Sequence, residues 1–202
     1  DIPGGQRVLY LQFEITDTML HKRFDKMTEA WLRENGHTGE VREYLRVWSE
    51  PFLKIDSPTG KKILVEELSA VKPTVLIIDP LYKTLSGDIL NPNSMRALVD
   101  SLDSLINIYK FSLVLIHHTR KGSMEDRPSE YDPTDDMLGS AVLSWWADSI
   151  IKVKRKGGMG SKETLEISFD KVRHAEETLL KREVIFDKNT LLFHPSEGTI
   201  AV

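Results

Sequence analysis

Apolar positions change period several times along the chain, and each change marks an element. Arg7-Val-Leu-Tyr-Leu-Gln-Phe-Glu14 follows the turn pair Gly4-Gly5 and predicts a strand. Leu20, Phe24, Met27 and Trp31 then recur at spacings of three and four, the period of one helix face. Thr16 or Asp17 can cap that helix, and Gly36 can end it. A short strand is expected within residues 45–55, then a helix over 59–71 with Ile63, Leu64 and Leu68 on one side. Pro73-Thr-Val-Leu-Ile-Ile-Asp79-Pro80 is a continuous apolar run rather than an alternating one, the pattern of a parallel strand covered on both faces. A loop with Gly87, Pro92 and Asn93 leads to a helix over 94–110, striped by Leu98, Leu102, Leu105 and Ile106, and residues 111–117 form another all-apolar strand. Strands alternating with helices predict an α/β fold with a parallel sheet.

The last third has a different texture. Residues 119–136 are polar over a length unusual for a plain connection, and loops of that length tend to carry function. A short helix is expected over 139–147. Segments 149–155, 164–171, 179–186 and 190–194 are short, alternating and separated by turn residues, which predicts antiparallel strands extending the sheet. No internal repeat or low-complexity linker interrupts the chain, so residues 1–202 are read as a single domain.

Composition narrows the function classes. With 202 residues and 40% hydrophobic content, the chain can bury a substantial core. Zero cysteines exclude disulfides, thiolate metal sites and cysteine nucleophiles. No apolar run reaches the roughly 18–20 residues that span a bilayer, so a cytoplasmic protein with no membrane partner is expected. A formal net charge of −4 confines any nucleic-acid contact to a local patch. The chain opens on Asp1 and enters a strand almost at once, which reads as part of a longer protein.

Asp79 is the first candidate for chemistry. Ligands of open α/β sheets bind at the carboxyl ends of strands, and a lone carboxylate there can hold the Mg²⁺ of a nucleoside triphosphate; its plainer role is to start a turn.

Taken together, the motifs resemble a known family. Phe13-Glu14-Ile15, with Leu20, Arg23-Phe24 and Met27, is similar to the segment after the second strand of RecA-like hexameric helicases of the plasmid RepA and DnaB type. Leu76-Ile-Ile-Asp79-Pro80-Leu81 resembles their Walker B strand, and Val114-Leu-Ile-His117-His118-Thr119-Arg120-Lys121 resembles the HHxxK sensor strand of the RepA branch. Gly139-Ser140-Ala141 and Ala147-Asp148-Ser149-Ile150-Ile151 resemble the next helix and strand, and Lys171-Val172-Arg173 fits the K-x-R pair placed at a subunit interface. The matches keep the family's order from residue 7 to 174. The resemblance implies a RecA-like P-loop NTPase core, ATP and Mg²⁺ as ligands, single-stranded DNA as partner and a homo-oligomer, a hexamer, at work in DNA replication or recombination. One departure is plain: no G-x-x-x-x-G-K-[ST] precedes Glu14. Thr59-Gly60-Lys61-Lys62 has Ile55 where the first glycine belongs and Lys62 where Ser or Thr belongs. The expectation is therefore a core lacking the first strand and its P-loop, inactive or weakly active alone.

Within that resemblance each residue has a role and a plainer alternative. Glu14 would deprotonate the attacking water, or is simply an acid at a helix start. Asp79 would hold Mg²⁺. His118 would donate to the γ-phosphate, or is an ordinary strand histidine; His117 points to the opposite face. Lys171 and Arg173 would share a strand face and reach into a neighbour's site, or line a solvated edge. Arg120 and Lys121 would contact DNA phosphates in the central channel, or open a loop that turns acidic farther on. Trp145 and Trp146 would stack on bases, or more plainly form a helix flank packed on the sheet or on a neighbouring subunit. Two other classes stay open: a noncatalytic oligomerisation or scaffold module, and a metal-dependent nuclease using Glu14, Asp79 and Asp88 with His117 or His118.

Overall fold

The computed structural model describes residues 5–36, 44–118 and 141–196. Arg120, Lys121, Gly139 and Ser140 lie outside the described residues. The chain forms two compact units, Asp1–Met19 with Glu40–Trp146 and Leu20–Gly39 with Ala147–Val202.

The first unit is the expected α/β sheet flanked by helices. Its strands are β1 (Val8–Gln12), β2 (Leu45–Ser49), β3 (Val75–Asp79) and β4 (Ser112–Leu115), all parallel and ordered β2-β1-β3-β4. Helix α1 (Asp17–Asn35), whose residues from Leu20 on belong to the second unit, starts beside the expected capping residues and is followed by Gly36, whose φ of +65° is the left-handed value that glycine tolerates. Helix α2 (Pro58–Val71) has Ser57 as its N-cap, and α3 (Pro92–Tyr109) has Asn91, whose side chain accepts from the amides of Asn93 and Ser94. Proline at the first position suits both helices, because that amide has no intrahelical partner anyway. Helix α4 (Ala141–Trp146) is short.

The core lies on one face of this sheet. Leu9 and Leu11 of β1 with Leu76 and Ile78 of β3 are completely buried against Leu64 and Leu68 of α2 and Leu98, Leu102 and Leu105 of α3. Each such side chain contributes about 2 kcal/mol by leaving water. The opposite face, with Val8, Tyr10, Val75 and Ile77, is only partly buried, so the continuous apolar run of β3 overstates its cover. The all-apolar strand expected over 111–117 is β4, which is a sheet edge among the described residues, with Val114 41% exposed. Trp146 packs against the core and donates its indole N–H to Asp103, as a packed flank should, whereas Trp145 is exposed.

In the second unit, β5 (Ser149–Met159), β6 (Lys162–Val172), β7 (Arg182–Asp187) and β8 (Leu192–Pro195) form an antiparallel meander, β5-β6-β7-β8. The antiparallel character is as expected, but the strands form a sheet of their own instead of extending the parallel one. Each strand pairs with its sequence neighbour, across a two-residue turn from β5 to β6 and a longer connection over 173–181 from β6 to β7. The loop between β5 and β6 is Gly160-Ser161, and Gly160 has φ of +62°, the conformation that a two-residue hairpin requires of its first residue. Trp31 of α1, assigned to the buried face, is 42% exposed; Leu20 and Ala30 are the buried positions.

Candidate active site

The strand order makes β1 and β3 special. The chain leaves β1 for β2 on one side and leaves β3 for β4 on the other, so the winding reverses between them. Such a reversal opens a crevice at the carboxyl ends of the two strands, where open α/β sheets bind ligands. Gln12, the last residue of β1, is in register with Asp79, the last of β3, and the Phe13 amide donates to the Asp79 carbonyl at 2.9 Å. Asp79 therefore sits where the sequence put it, at a strand end, half-buried. Its carboxylate accepts a hydrogen bond from the Tyr10 hydroxyl of β1.

Glu14 lies two residues past β1, in an exposed turn. The fully buried Gln12 shapes that turn: its side-chain Oε1 accepts from the amides of Glu14 at 2.8 Å and Ile15 at 2.7 Å. Ser49 of β2 adds a hydroxyl bond to the Ile15 carbonyl at 3.0 Å. Leucine at position 12 would fill the same space and leave both amides unsatisfied, so Gln12→Leu should cost about 2 kcal/mol of stability in chemical denaturation. A loss below about 0.5 kcal/mol would show that the turn holds without it.

Tyr82 completes the constellation from a 3-10 turn (Leu81–Thr84) just after β3. Its hydroxyl donates to Glu14 Oε1 at 2.7 Å, and its ring centroid lies 5.4 Å from that of His118, tilted by 55°. His118 is exposed beyond β4, whose end is held by the Ile116 amide on the Ile78 carbonyl and the Leu81 amide on the Ile116 carbonyl, both 2.9 Å. The Glu14 bond, then burial, then the carboxylate's charge hold the Tyr82 phenol above the ordinary tyrosine range. A pKa raised by folding means that the folded chain binds this proton more tightly, so the contribution is complete below the ordinary tyrosine pKa and fades as pH rises through the raised one.

Glu14, Asp79 and His118 are thus brought to one end of one sheet. Sequence reasoning missed Tyr10, Gln12 and Tyr82. The signal for Gln12 was a polar residue inside the apolar run Leu-Tyr-Leu-Gln-Phe; nothing local marked the two tyrosines.

Gly60 and Lys61 lie in the first turn of α2. Ser57 Oγ accepts the Gly60 amide at 3.0 Å and the Ser57 carbonyl accepts the Lys61 amide at 2.8 Å. A Cβ on Gly60 would fall 1.9 Å from the Lys54 carbonyl oxygen, so this glycine answers to a close backbone approach. These amides serve their own cap and not a phosphate cradle.

Lys171 and Arg173 belong to the second unit. Lys171 is on β6, but that strand ends at Val172, and Arg173 lies in the following turn; the shared strand face expected for the pair does not hold. Its amide binds the Asp148 carbonyl and its guanidinium the Asp148 carboxylate, each at 2.8 Å. Residues 149–182 carry nine Lys and Arg against five Asp and Glu, yet several are matched. Glu163 pairs with Lys188 and Arg155, and Glu166 with Lys181 and Lys156. Hydrogen bonds from Lys188 and Lys181 respectively lower these two carboxyls, so their contribution holds above the ordinary glutamate pKa and is lost as pH falls.

Among the described residues no group of three or more His, Cys, Asp and Glu could hold a metal, and no helix is long and apolar enough to cross a membrane. Asp79 fits Mg²⁺ in the way that ion is usually held beside phosphates, through one hard carboxylate with the other ligands coming from phosphate and water.

A model of the AAA domain family matches residues 2–124, and the chain belongs to that family. It is a P-loop NTPase-type fold whose members generally bind nucleotide with Mg²⁺ and hydrolyse ATP. The match takes in Glu14, Asp79 and His118; Lys171 and Arg173 lie beyond it. No curated protein matches the chain.

Proposed function

We propose that this protein is the ATPase core of a RecA-like hexameric helicase of the plasmid RepA and DnaB type, translocating on single-stranded DNA in replication or recombination. Both units would be parts of one ATPase domain. The observation that carries this reading is the placement of Glu14 and Asp79 at the carboxyl ends of β1 and β3, where the winding of the sheet reverses. A nucleotide-binding sheet needs its ligands there, and the two carboxylates suit the two tasks of phosphoryl transfer, cation binding and water activation.

In this reading water attacks the γ-phosphorus while Glu14 takes its proton, and the β,γ-bridging oxygen leaves with the bonding electrons as part of ADP. Mg²⁺, when held by Asp79, would supply positive charge to the phosphate oxygens. His118 donates to the γ-phosphate, and Lys171 and Arg173 of a neighbouring subunit neutralise the developing charge. Arg120 and Lys121 contact DNA phosphates; matched charges along β5 and β6 make that sheet the poorer candidate. Among the described residues β4 is an edge of the parallel sheet with Val114 partly open to water, and in this reading a strand carrying the phosphate loop would extend the sheet there.

The test is Mg²⁺-dependent ATP turnover by the full-length protein, with and without single-stranded DNA. Turnover that rises several-fold with DNA is expected. No turnover in either condition would support the scaffold reading instead. The nuclease reading lacks its three-ligand cluster among the described residues.

A further inference from the structure

The two acids of the site are partnered crosswise. β1 supplies Tyr10 to Asp79 of β3, and the turn after β3 supplies Tyr82 to Glu14 beyond β1. The Tyr82 ring also lies against a second candidate residue, His118. Its own position is well determined: the preceding Leu81 is fully buried with its amide on the Ile116 carbonyl, and Thr84 at the end of the same turn is fully buried with its hydroxyl on the Leu81 carbonyl. Glu14 has the opposite character. Its backbone is pinned by Gln12, but its side chain is exposed and has three rotatable bonds, so several rotamers are open to it unless a partner selects one. A general base must hold one geometry to within a fraction of an ångström, so an exposed glutamate needs a fixed partner to serve as one.

We infer that Tyr82 is the positioning residue of this site: its hydroxyl holds the Glu14 carboxylate in place by one oxygen, and its ring ties that placement to His118. The inference rests on the reading of Glu14 as general base. The phenol touches neither nucleotide nor water in this role and acts only through Glu14. Such outer partners usually matter by about ten- to a hundredfold in activity.

Tyr82→Phe in the full-length protein tests this, because it removes the hydroxyl and keeps the ring beside His118. The expected result is kcat for ATP lowered at least about tenfold with KM unchanged within about twofold. In the Glu14→Gln background the same substitution should have no further effect, since there is no base left to position. Tyr82→Trp, which also keeps an aromatic ring without the hydroxyl, is held to the same outcomes if the phenylalanine variant does not fold. A kcat within twofold of wild type, a kcat that rises, or an equal loss in both backgrounds overturns the inference while leaving Glu14 as base untouched. If Glu14→Gln itself keeps turnover, the reading of Glu14 fails and this inference falls with it.

Discussion

Arg173→Ala in the full-length protein is expected to leave nucleotide affinity nearly intact and to cut ATP turnover by roughly 10³-fold, the scale of an arginine supplied in trans to a phosphoryl-transfer site. A planar guanidinium that meets the phosphate oxygens as charge builds up on them stabilises the transition state more than the bound substrate, so kcat falls and affinity does not. The ion pair with Asp148 does not argue against this. Both side chains are largely open to water, 47% and 64% exposed, and such surface pairs contribute about 0–1 kcal/mol, so the guanidinium can exchange partners at little cost. Mixing tests the geometry. An Arg173→Ala subunit beside a Glu14→Gln subunit can form interfaces that keep both an intact arginine and an intact base, so mixed assemblies should recover activity that neither variant has alone. No recovery, in mixtures shown by native mass spectrometry to co-assemble, would place Arg173 within its own subunit's site or outside catalysis.

Glu14→Gln should retain ATP binding and lose at least about a hundredfold in turnover, the usual scale for a missing general base. The amide is nearly isosteric and can still accept from Tyr82, so the turn shaped by Gln12 should persist and the loss should report proton transfer alone. Single-turnover hydrolysis and equilibrium nucleotide binding, measured on the same preparation, separate the two effects. Turnover within a few-fold of wild type would leave Glu14 as no more than an acid near the start of α1.

Much of this site could be read from the chain before any fold was known. The apolar run of β3 ends in a carboxylate, and because a strand's end follows from local pattern, Asp79 was correctly set at the sheet's carboxyl edge. Glu14 and His118 were singled out by the family resemblance, and both also fall just past the carboxyl ends of apolar runs. The helix stripes Leu64 and Leu68, and Leu98, Leu102 and Leu105, were legible for a like reason, since a period of 3.6 residues is written within one element. Local pattern did not reach strand order: β4 is as apolar as β3 yet is an edge strand among the described residues, because composition records what a strand can tolerate and not how many neighbours it has. Local pattern also overran the end of β6: the strand's last residue is Val172, and Arg173 lies in the turn after it.

The sequence by itself thus determined the elements, their polarity and which residues end them, all properties of neighbours along the chain. Only the tertiary structure decided the order β2-β1-β3-β4, and with it the reversal that sets Glu14 beside the end of β3. It also decided the Tyr82 to Glu14 bond, between residues 68 positions apart. The physical reason is that hydrophobic period fixes which face a residue presents, whereas strand order and register are settled by competition among backbone edges and side chains far apart in the chain, each taking the partner that leaves the fewest polar groups unsatisfied.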